Sequence, residues 1–393
     1  MKFLLPWLLL VAATTVASAE PATPIRLNGP AANRVGITIL GDGYTQSELL
    51  KYSTDADSFA TAFFSQSPYL EYQSYFNVHR VDVISNESGA DHPERSTFRN
   101  TALGSAYNCG NVARVICVDN GAVNAVLSRS VPIEARDLVI VLVNDPEYGG
   151  SGGSVIVASA LTATVEIALH ESGHTFGRLA DEYDVQPPPC TNTIEPPEVN
   201  AALDISRDRI KWSHWVAAST ALPTISGENG IPGAYQGARY CVSGLYRPTA
   251  NSKMRSLGRP FEQVNSEQLV RRMYNFVSPI DSASPAAPSL APPPGAIVDF
   301  SVETPRPAQP LRVRWSVDGA PAGEGEIMRL NTSVLAPGSH LVQVEVSDQT
   351  PLVRSDPGGL LAARRSWMLS TQPGSMDDLR RALDDLLRRW RNR

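Results

Sequence analysis

The sequence predicts an α/β (α+β) domain, followed by a small all-β sandwich and a C-terminal helix. Three patterns predict this architecture. A continuous apolar run, residues 138–143, is followed after a glycine-rich turn by an apolar, helix-compatible run, residues 161–169. Beyond a Pro-rich stretch, short runs alternate apolar and polar residues, which is typical of antiparallel strands. The last segment, residues 375–393, carries leucines at helical spacing.

The N-terminus predicts export. A short basic start precedes an apolar run, Phe3–Ala13, and small residues lead up to Ala19. This order is typical of a signal peptide, so we expect residues 1–19 to be removed and the protein to be secreted or periplasmic. No cysteine directly follows the cleavage point to carry a lipid. No later apolar run approaches the ~20 residues needed to span a bilayer.

Residues 20–277 are expected to form the first domain, with residues 33–130 as its N-terminal part. Its second half contains the strand at 138–143 and a helix at 161–177. Thr162 or Thr164 is available as an N-cap for this helix. The sequence therefore places strand, loop and helix in order.

The helix contains the most informative motif of the chain, His170–His174 with the sequence HESGH. Residues four apart share one face of a helix, so the two histidines can bind one Zn²⁺ while Glu171 reaches a water molecule as general base. Taken alone, the pair has another explanation, as surface or core-edge histidines. We expect a single catalytic zinc ion, since three protein ligands leave its fourth position to water.

The third ligand is expected shortly after Gly177. A glycine at that place can end the helix in a left-handed turn, after which the chain doubles back toward the metal. Asp181 can supply a carboxylate oxygen, and Glu182 is the fallback. The predicted metal ligands are therefore His170, His174 and Asp181.

The four cysteines fit an oxidising compartment. Sequence alone leaves three pairings open, and we favour Cys109 with Cys117 and Cys190 with Cys241. A zinc site with thiolate ligands is the competing interpretation, but no Cys-x-x-Cys spacing supports it.

Three segments are predicted beyond the first domain. Pro, Ala and Ser crowd residues 278–296, which is typical of a linker. Alternating runs such as 311–317 and 341–346 predict an Ig-like β-sandwich at 297–371, which binds substrate or cell wall or acts as a rigid spacer. Residues 372–393 predict a basic amphipathic helix that docks on its own protein or lies on an anionic membrane surface.

Several separated segments resemble the IgA-peptidase family of bacterial zinc metallopeptidases. They occur in consistent order across roughly residues 33–275, which makes them more specific than the zinc motif alone. The segments are Ile39–Thr45, Tyr75–Val78, Ser85–Asp91, His170–Tyr183, Gly244–Pro248 and Met254–Arg255.

The resemblance implies a metzincin-like fold, a mixed sheet over helices with the zinc helix below the cleft. It also implies a methionine-containing turn near residue 254 under the metal. Residues 143–150 resemble the rim of the cleft, where an extended peptide can add as a strand. Metzincins carry a third histidine at the place of Ala180, and alanine cannot ligate, so a carboxylate is expected instead.

These observations predict a secreted zinc metalloendopeptidase that acts on protein or peptide substrates. Glu171 passes the proton of the attacking water to the leaving amine. Tyr183 or Tyr246 can stabilise the oxyanion, although a structural role is the alternative for each. Two other functions stay open: a catalytically silent secreted binding protein, and a zinc amidase that acts on cell-wall peptides.

The charge of the chain limits its partners. A formal net charge of −6 and a pI near 5.6 argue against a nucleic-acid-binding protein. We expect a monomer that contacts its substrate, with contact to a membrane surface or cell wall limited to the C-terminal module and helix.

Overall fold

The computed structural model describes residues 19–185, 194–227, 229–372, 387, 388 and 390. The predicted signal peptide, apart from Ala19, and most of the predicted C-terminal helix lie outside these residues, as does Cys190. The α-helices of the described part up to residue 372 are α1 (Leu49–Phe63), α2 (Asn120–Ser130), α3 (Val165–Thr175) and α4 (Glu262–Tyr274). None of the helices within the described ranges is long and apolar enough to cross a membrane.

A six-stranded sheet forms the centre of the first domain. Its strands are β1 (Ala22–Arg26), β2 (Val35–Asp42), β3 (Phe76–Val81), β4 (Leu138–Val143), β5 (Gly150–Ser151) and β6 (Ile156–Ser159). Their order across the sheet is β1-β3-β2-β4-β6-β5. The four inner strands run parallel, whereas the edge strands β1 and β5 are antiparallel to their neighbours. The strand expected at 138–143 is β4.

β4 is apolar throughout because both of its faces are covered. Ile140 and Leu142 belong to the core that includes residues of α1 and α3, whereas Val139 and Val141 belong to the core on the α2 side. All six residues of the strand are buried. A parallel strand between two helical layers is expected to be apolar without alternation. The described fold is therefore a mixed α/β domain, as predicted.

Helix α3 follows β6 after one 3₁₀ turn, Thr162–Thr164. Thr164, one of the two predicted N-cap residues, lies at the N-cap position of α3, but its side chain forms no capping hydrogen bond. The Thr164 hydroxyl donates to the carbonyl oxygens of Ser159 and Leu161, each at 2.6 Å, and accepts from no helical N–H. The 3₁₀ turn continues directly into the helix, so the amide of Val165 bonds to a carbonyl of that turn and leaves no role for a side-chain cap.

The end of α3 also differs from the prediction. The left-handed residue is Arg178, with φ of 56°, and not Gly177. Gly177 is needed for another reason, because a Cβ atom there would lie 2.6 Å from the carbonyl oxygen of Gly173 and 2.9 Å from Leu269 of α4. The glycine therefore permits close packing at the helix end, and the next residue turns the chain back.

A β-hairpin follows, with strands β7 (Tyr235–Ala238) and β8 (Cys241–Arg247). Its two-residue loop is Arg239-Tyr240, with φ of 50° and 64°. Positive φ at both loop residues is the geometry that usually selects Asn-Gly, so two large side chains here indicate strain. The loop is held in place because Arg239 N–H donates to Asp181 O at 2.8 Å and Tyr240 N–H donates to Tyr183 O at 2.9 Å.

The C-terminal part contains two further sheets. The strands are β9 (Ser282–Ser284), β10 (Ser289–Leu290), β11 (Ile297–Glu303), β12 (Arg312–Val317), β13 (Ala320–Glu324), β14 (Ile327–Asn331), β15 (Gly338–Ser347) and β16 (Ala362–Thr371). One sheet has the order β10-β16-β15-β12-β13 and the other β14-β11-β9. They share an aromatic core that includes Phe300, Trp315 and Trp367. The Ig-like description and the domain limits stay predictions.

The stretch predicted as a linker, residues 278–296, contributes to these sheets. β9 pairs with β11, and β10 pairs with β16. Its serines and alanines are small enough for short edge strands, which need no large side chains of their own. The stretch therefore contributes two short strands to these sheets.

Buried hydrogen bonds join the C-terminal part to the first domain. Asp348 Oδ2 accepts from the hydroxyls of Tyr72 and Tyr274, at 2.5 and 2.7 Å. Glu267 Oε1, on α4, accepts from the backbone amides of Arg354 and Ser355, at 2.7 and 2.8 Å. The two parts are thus packed together through satisfied polar groups.

The disulfide between Cys109 and Cys117 is confirmed, with a Cα–Cα distance of 5.8 Å. Cys241 is also disulfide-bonded. The predicted pairing of Cys241 with Cys190 stays a prediction, because Cys190 lies outside the described residues.

Candidate metal centre

Three side chains that the sequence predicts as metal ligands lie together at one point. The Nε2 atoms of His170 and His174 are 3.2 Å apart. Asp181 Oδ1 is 3.2 Å from the first of these atoms and 3.1 Å from the second. Among the described residues, this is the one group of three or more His, Cys, Asp or Glu side chains close enough to hold a metal ion.

The spacing of these donor atoms fits a metal ion. Ligand atoms at about 2.0–2.1 Å from a tetrahedral zinc ion lie about 3.3 Å from one another. The three donors form a nearly equilateral triangle with sides of 3.1–3.2 Å. Since both histidine rings and one carboxylate present their donor atoms to the same point, the arrangement leaves one tetrahedral position for a water molecule or a substrate.

Both histidines are held in the tautomer that a metal requires. The Nδ1 atom of His170 is 2.8 Å from the carbonyl oxygen of Lys253, and that of His174 is 2.8 Å from the carbonyl oxygen of Leu179. A carbonyl oxygen can only accept, so each Nδ1 carries the proton and each Nε2 keeps its lone pair. Such outer hydrogen bonds orient the ring and raise its strength as a ligand.

Asp181 is oriented by Tyr240, which sequence reasoning missed. The Tyr240 hydroxyl donates to Asp181 Oδ2 at 2.5 Å, which leaves Oδ1 directed at the histidines. Burial opposes ionisation of Asp181, but the neighbouring histidines and the hydrogen bond from Tyr240 outweigh it and hold the pKa of that carboxyl well below its usual range. The carboxylate is therefore charged at neutral pH.

Glu182, the fallback ligand, points away from the site. Its side chain is fully buried and accepts hydrogen bonds from Asn200, Ser252 and Asn265 at 2.7–3.1 Å. Burial raises the pKa of this carboxyl. Glu182 is therefore not placed to ligate with the histidines, because its side chain is held in the core while that of Asp181 lies beside them.

Glu171 lies beside the three donors, in a space that a glycine provides. A Cβ atom at Gly152 would lie 1.9 Å from Glu171 Oε2, so no larger residue fits there without displacing the carboxylate. Burial raises the pKa of Glu171, although His170 and His174 oppose the rise. A desolvated carboxylate with a raised pKa is a stronger base than an exposed one.

Met254 lies under the helix, in a turn formed by Ser252–Arg255. Its side chain is fully buried, and a Cβ atom at Gly173 would lie 2.4 Å from its sulfur. The residue before it, Lys253, supplies the carbonyl that orients His170. The turn therefore supports the helix from below and fixes one ligand, at the place where the resemblance implies a methionine-containing turn.

An open cleft of about 510 Å³ surrounds the donors. Tyr183 lines it, with its hydroxyl 3.4 Å from His170 Nε2. Tyr246 is absent from the described lining residues and instead pairs with Ala202 and Gln236, so its candidacy for the oxyanion is not supported. Burial raises the pKa of Tyr183 to about 12, which keeps the phenol protonated at neutral pH as a hydrogen-bond donor.

The cleft rim differs in one respect from the prediction. Tyr148 and Gly150 line the cleft, but the N–H of Gly150 in the edge strand β5 already donates to Arg114 O at 3.0 Å. A peptide cannot pair with that amide, because the disulfide loop occupies this part of the strand edge.

Asp42, part of a segment that carries the resemblance, is structural. It is fully buried, and its carboxylate accepts from the amides of Leu103 and Ser105 at 2.8 and 3.0 Å. It therefore secures the loop after β3 and does not face the cleft.

Three side chains that could hold a metal ion lie beside a buried carboxylate in an open cleft, and together they form a candidate metal-dependent active site. The sequence profile of the family described as IgA Peptidase M64 matches residues 23–232, just over half of the chain. The chain belongs to this family of peptidases, as the sequence predicted. No curated protein matches the chain.

Proposed function

We propose that this protein is an exported zinc endopeptidase in which His170, His174 and Asp181 hold the metal and Glu171 is the general base. The observation that carries the proposal is the triangle of donor atoms, with sides of 3.1–3.2 Å, next to a buried glutamate. Two imidazoles and one carboxylate form a ligand set that suits catalytic zinc. Export rests on the signal peptide predicted at residues 1–19.

The chain's own groups then have distinct tasks. Zinc held by the triad would supply Lewis-acid chemistry, which acidifies a water molecule and polarises a carbonyl. Glu171 accepts the proton of the attacking water and delivers it to the amine of the leaving peptide. The protonated phenol of Tyr183 donates a hydrogen bond to the negative charge that develops on the substrate oxygen. Tyr240 keeps Asp181 in its ligating orientation.

The proposal is tested with the purified full chain on unfolded casein. We expect cleavage that stops with a zinc chelator and returns when zinc is added. Glu171→Gln is expected to lower kcat by at least about a hundredfold, as for loss of general-base catalysis, with its zinc content unchanged. Full activity in this variant, or activity that resists the chelator, contradicts the assignment.

Peptidoglycan serves as the second substrate in the same experiment. An endopeptidase of proteins releases peptides from casein and none from peptidoglycan, whereas an amidase of cell-wall peptides shows the opposite result. A binding protein without catalysis cleaves neither substrate.

A further inference from the structure

Arg114 projects from a fixed loop into the candidate active-site cleft. The loop is closed by the Cys109–Cys117 disulfide and by the hydrogen bond between Cys109 N–H and Val115 O, at 3.2 Å. Its backbone is attached to the edge strand, where Gly150 donates to Arg114 O at 3.0 Å and Ser151 Oγ donates to Ile116 O at 2.6 Å. The base of the Arg114 side chain is therefore held in one place, while the residue itself is exposed.

The guanidinium of Arg114 is free for a ligand. It forms no hydrogen bond and no ion pair with the described residues, although it lines the cleft together with His170 and Glu171. The other arginine in the described lining, Arg255, is engaged, because it bonds to both carboxylate oxygens of Asp184 at 2.7 and 2.9 Å. Among the described residues that line the cleft, Arg114 is thus the arginine whose guanidinium has no side-chain partner.

The charges of the cleft lining determine what a substrate carboxylate would meet there. The acidic side chains of the lining are Glu171 and Asp181, one proposed as general base and one as ligand. With zinc bound, the metal would offset these two charges, and a further carboxylate brought in by a substrate would need a cation of its own. Arg114 lines the same cleft and can supply that cation.

We propose that Arg114 binds a carboxylate of the substrate and thereby selects peptides that place an acidic side chain in the cleft. The inference rests on the proposed peptidase function and extends it to a substrate class. A guanidinium offers paired N–H donors that match the two oxygens of a carboxylate. The substrate brings this carboxylate, so the protein need not supply one. The disulfide loop then determines where along the peptide the acidic residue is recognised.

The test measures cleavage of matched peptides by the zinc-loaded full chain. A cleavage site mapped in casein provides the host sequence, in which Gln, Glu or Lys is placed at each position near the cut. Peptides with amidated and free C-termini separate a side-chain carboxylate from a terminal one. For an exposed ion pair we expect kcat/KM to be about fivefold higher for Glu than for Gln at one position, which corresponds to about 1 kcal/mol. This ratio is expected to fall as salt is raised.

Arg114→Gln is expected to bring the Glu-to-Gln ratio close to one, and Arg114→Glu is expected to reverse the preference toward Lys. The reversal is a gain of cleavage, which a merely misfolded variant does not produce. Arg99→Gln is the matched control, because Arg99 is also exposed, lies outside the described lining and forms no side-chain bond to the described residues. This control is expected to keep the wild-type ratio.

The outcomes separate the two proposals. Equal cleavage of Glu and Gln peptides by the active wild-type protein, with free and with amidated ends, overturns the role of Arg114 and leaves the peptidase proposal intact. A preference that survives Arg114→Gln also overturns it. A preference for the free C-terminus that Arg114→Gln removes supports carboxylate binding and assigns the carboxylate to the chain end. Absence of any cleavage by the wild-type protein overturns both proposals.

Discussion

The phenol of Tyr240 and the carboxylate of Asp181 share a hydrogen bond of 2.5 Å, across 59 residues of sequence. The tyrosine occupies a hairpin loop with positive φ, and the backbone of the same loop is bonded to the segment that carries the aspartate. Three hydrogen bonds and a strained turn therefore hold the Asp181 carboxylate in position.

Tyr240→Phe is expected to weaken zinc binding about tenfold, because loss of an outer hydrogen bond to a ligand commonly costs 10–100-fold in metal affinity. Competition with a coloured chelator measures this change. Tyr246→Phe on the adjoining strand is the control and is expected to bind zinc as the wild type does. Equal affinities in the two variants contradict a role for Tyr240.

Gly152→Ala is expected to displace Glu171 without loss of the metal. The added Cβ would lie 1.9 Å from Oε2 of that glutamate, and a flexible side chain moves more easily than the backbone. A shift of about 1 Å in a catalytic group can cost about a hundredfold in rate. We therefore expect kcat to fall by about that factor with one zinc per chain retained. Wild-type kcat in this variant shows that the glutamate needs no such space.

The two adjacent acids are expected to respond differently to substitution. Asp181→Ala removes a donor atom from the triangle and is expected to leave the protein with less than one zinc after dialysis. Glu182→Gln keeps the size of a buried residue whose partners are Asn200, Ser252 and Asn265, and is expected to retain the metal. Metal analysis of both variants checks this. Retention in the first variant and loss in the second reverses the ligand assignment.

Glu48 is expected to make stability depend on acidic pH. Burial opposes its ionisation, but hydrogen bonds from Thr45, Ser88 and Asn144 lower the pKa of its carboxyl from 4.5 to about 2. A folded-state pKa below the unfolded one stabilises the protein above pH 4.5, and this contribution is lost as pH falls toward 2.

Glu48→Gln is therefore expected to lower the free energy of unfolding at pH 7 by about 1 kcal/mol, because hydrogen bonds to a charged carboxylate are stronger than those to a neutral amide. Urea denaturation is expected to show this difference shrinking between pH 4.5 and 2. Glu324→Gln, which changes an exposed carboxylate on β13 that pairs with Arg312, is the control and is expected to change the free energy of unfolding by less than Glu48→Gln does. A difference that stays constant down to pH 2 contradicts the role of the charge.

Local patterns predicted the parts of the site that depend on local geometry. The spacing of His170, Glu171 and His174 follows from the period of a helix, and the apolar run of β4 follows from burial on both faces. Asp181 was predicted through a turn at Gly177, but the structure makes that turn at Arg178. The predicted turn was thus assigned to the wrong residue. Gly177 is required for packing against α4, and Arg178 turns the chain back toward the histidines.

The remaining parts depend on contacts between distant segments. Tyr240 carries no local signal, since its loop lacks the Asn-Gly sequence typical of such turns. Gly152 was seen only as part of a glycine-rich turn, and the need for a glycine there becomes clear only when Glu171 is placed beside it. The short strands β9 and β10 were missed because Pro, Ala and Ser favour a linker when their neighbours in space are unknown.

The carboxylate that Asp348 offers to Tyr72 and Tyr274 limits how this chain can be shortened. A fragment that stops at residue 277 would leave two tyrosine hydroxyls without their acceptor and would uncover the surface against which the C-terminal sheets pack. A catalytic fragment without those sheets is therefore a poor choice for expression and crystallisation. Assays and crystals are best sought with the chain continued through β16.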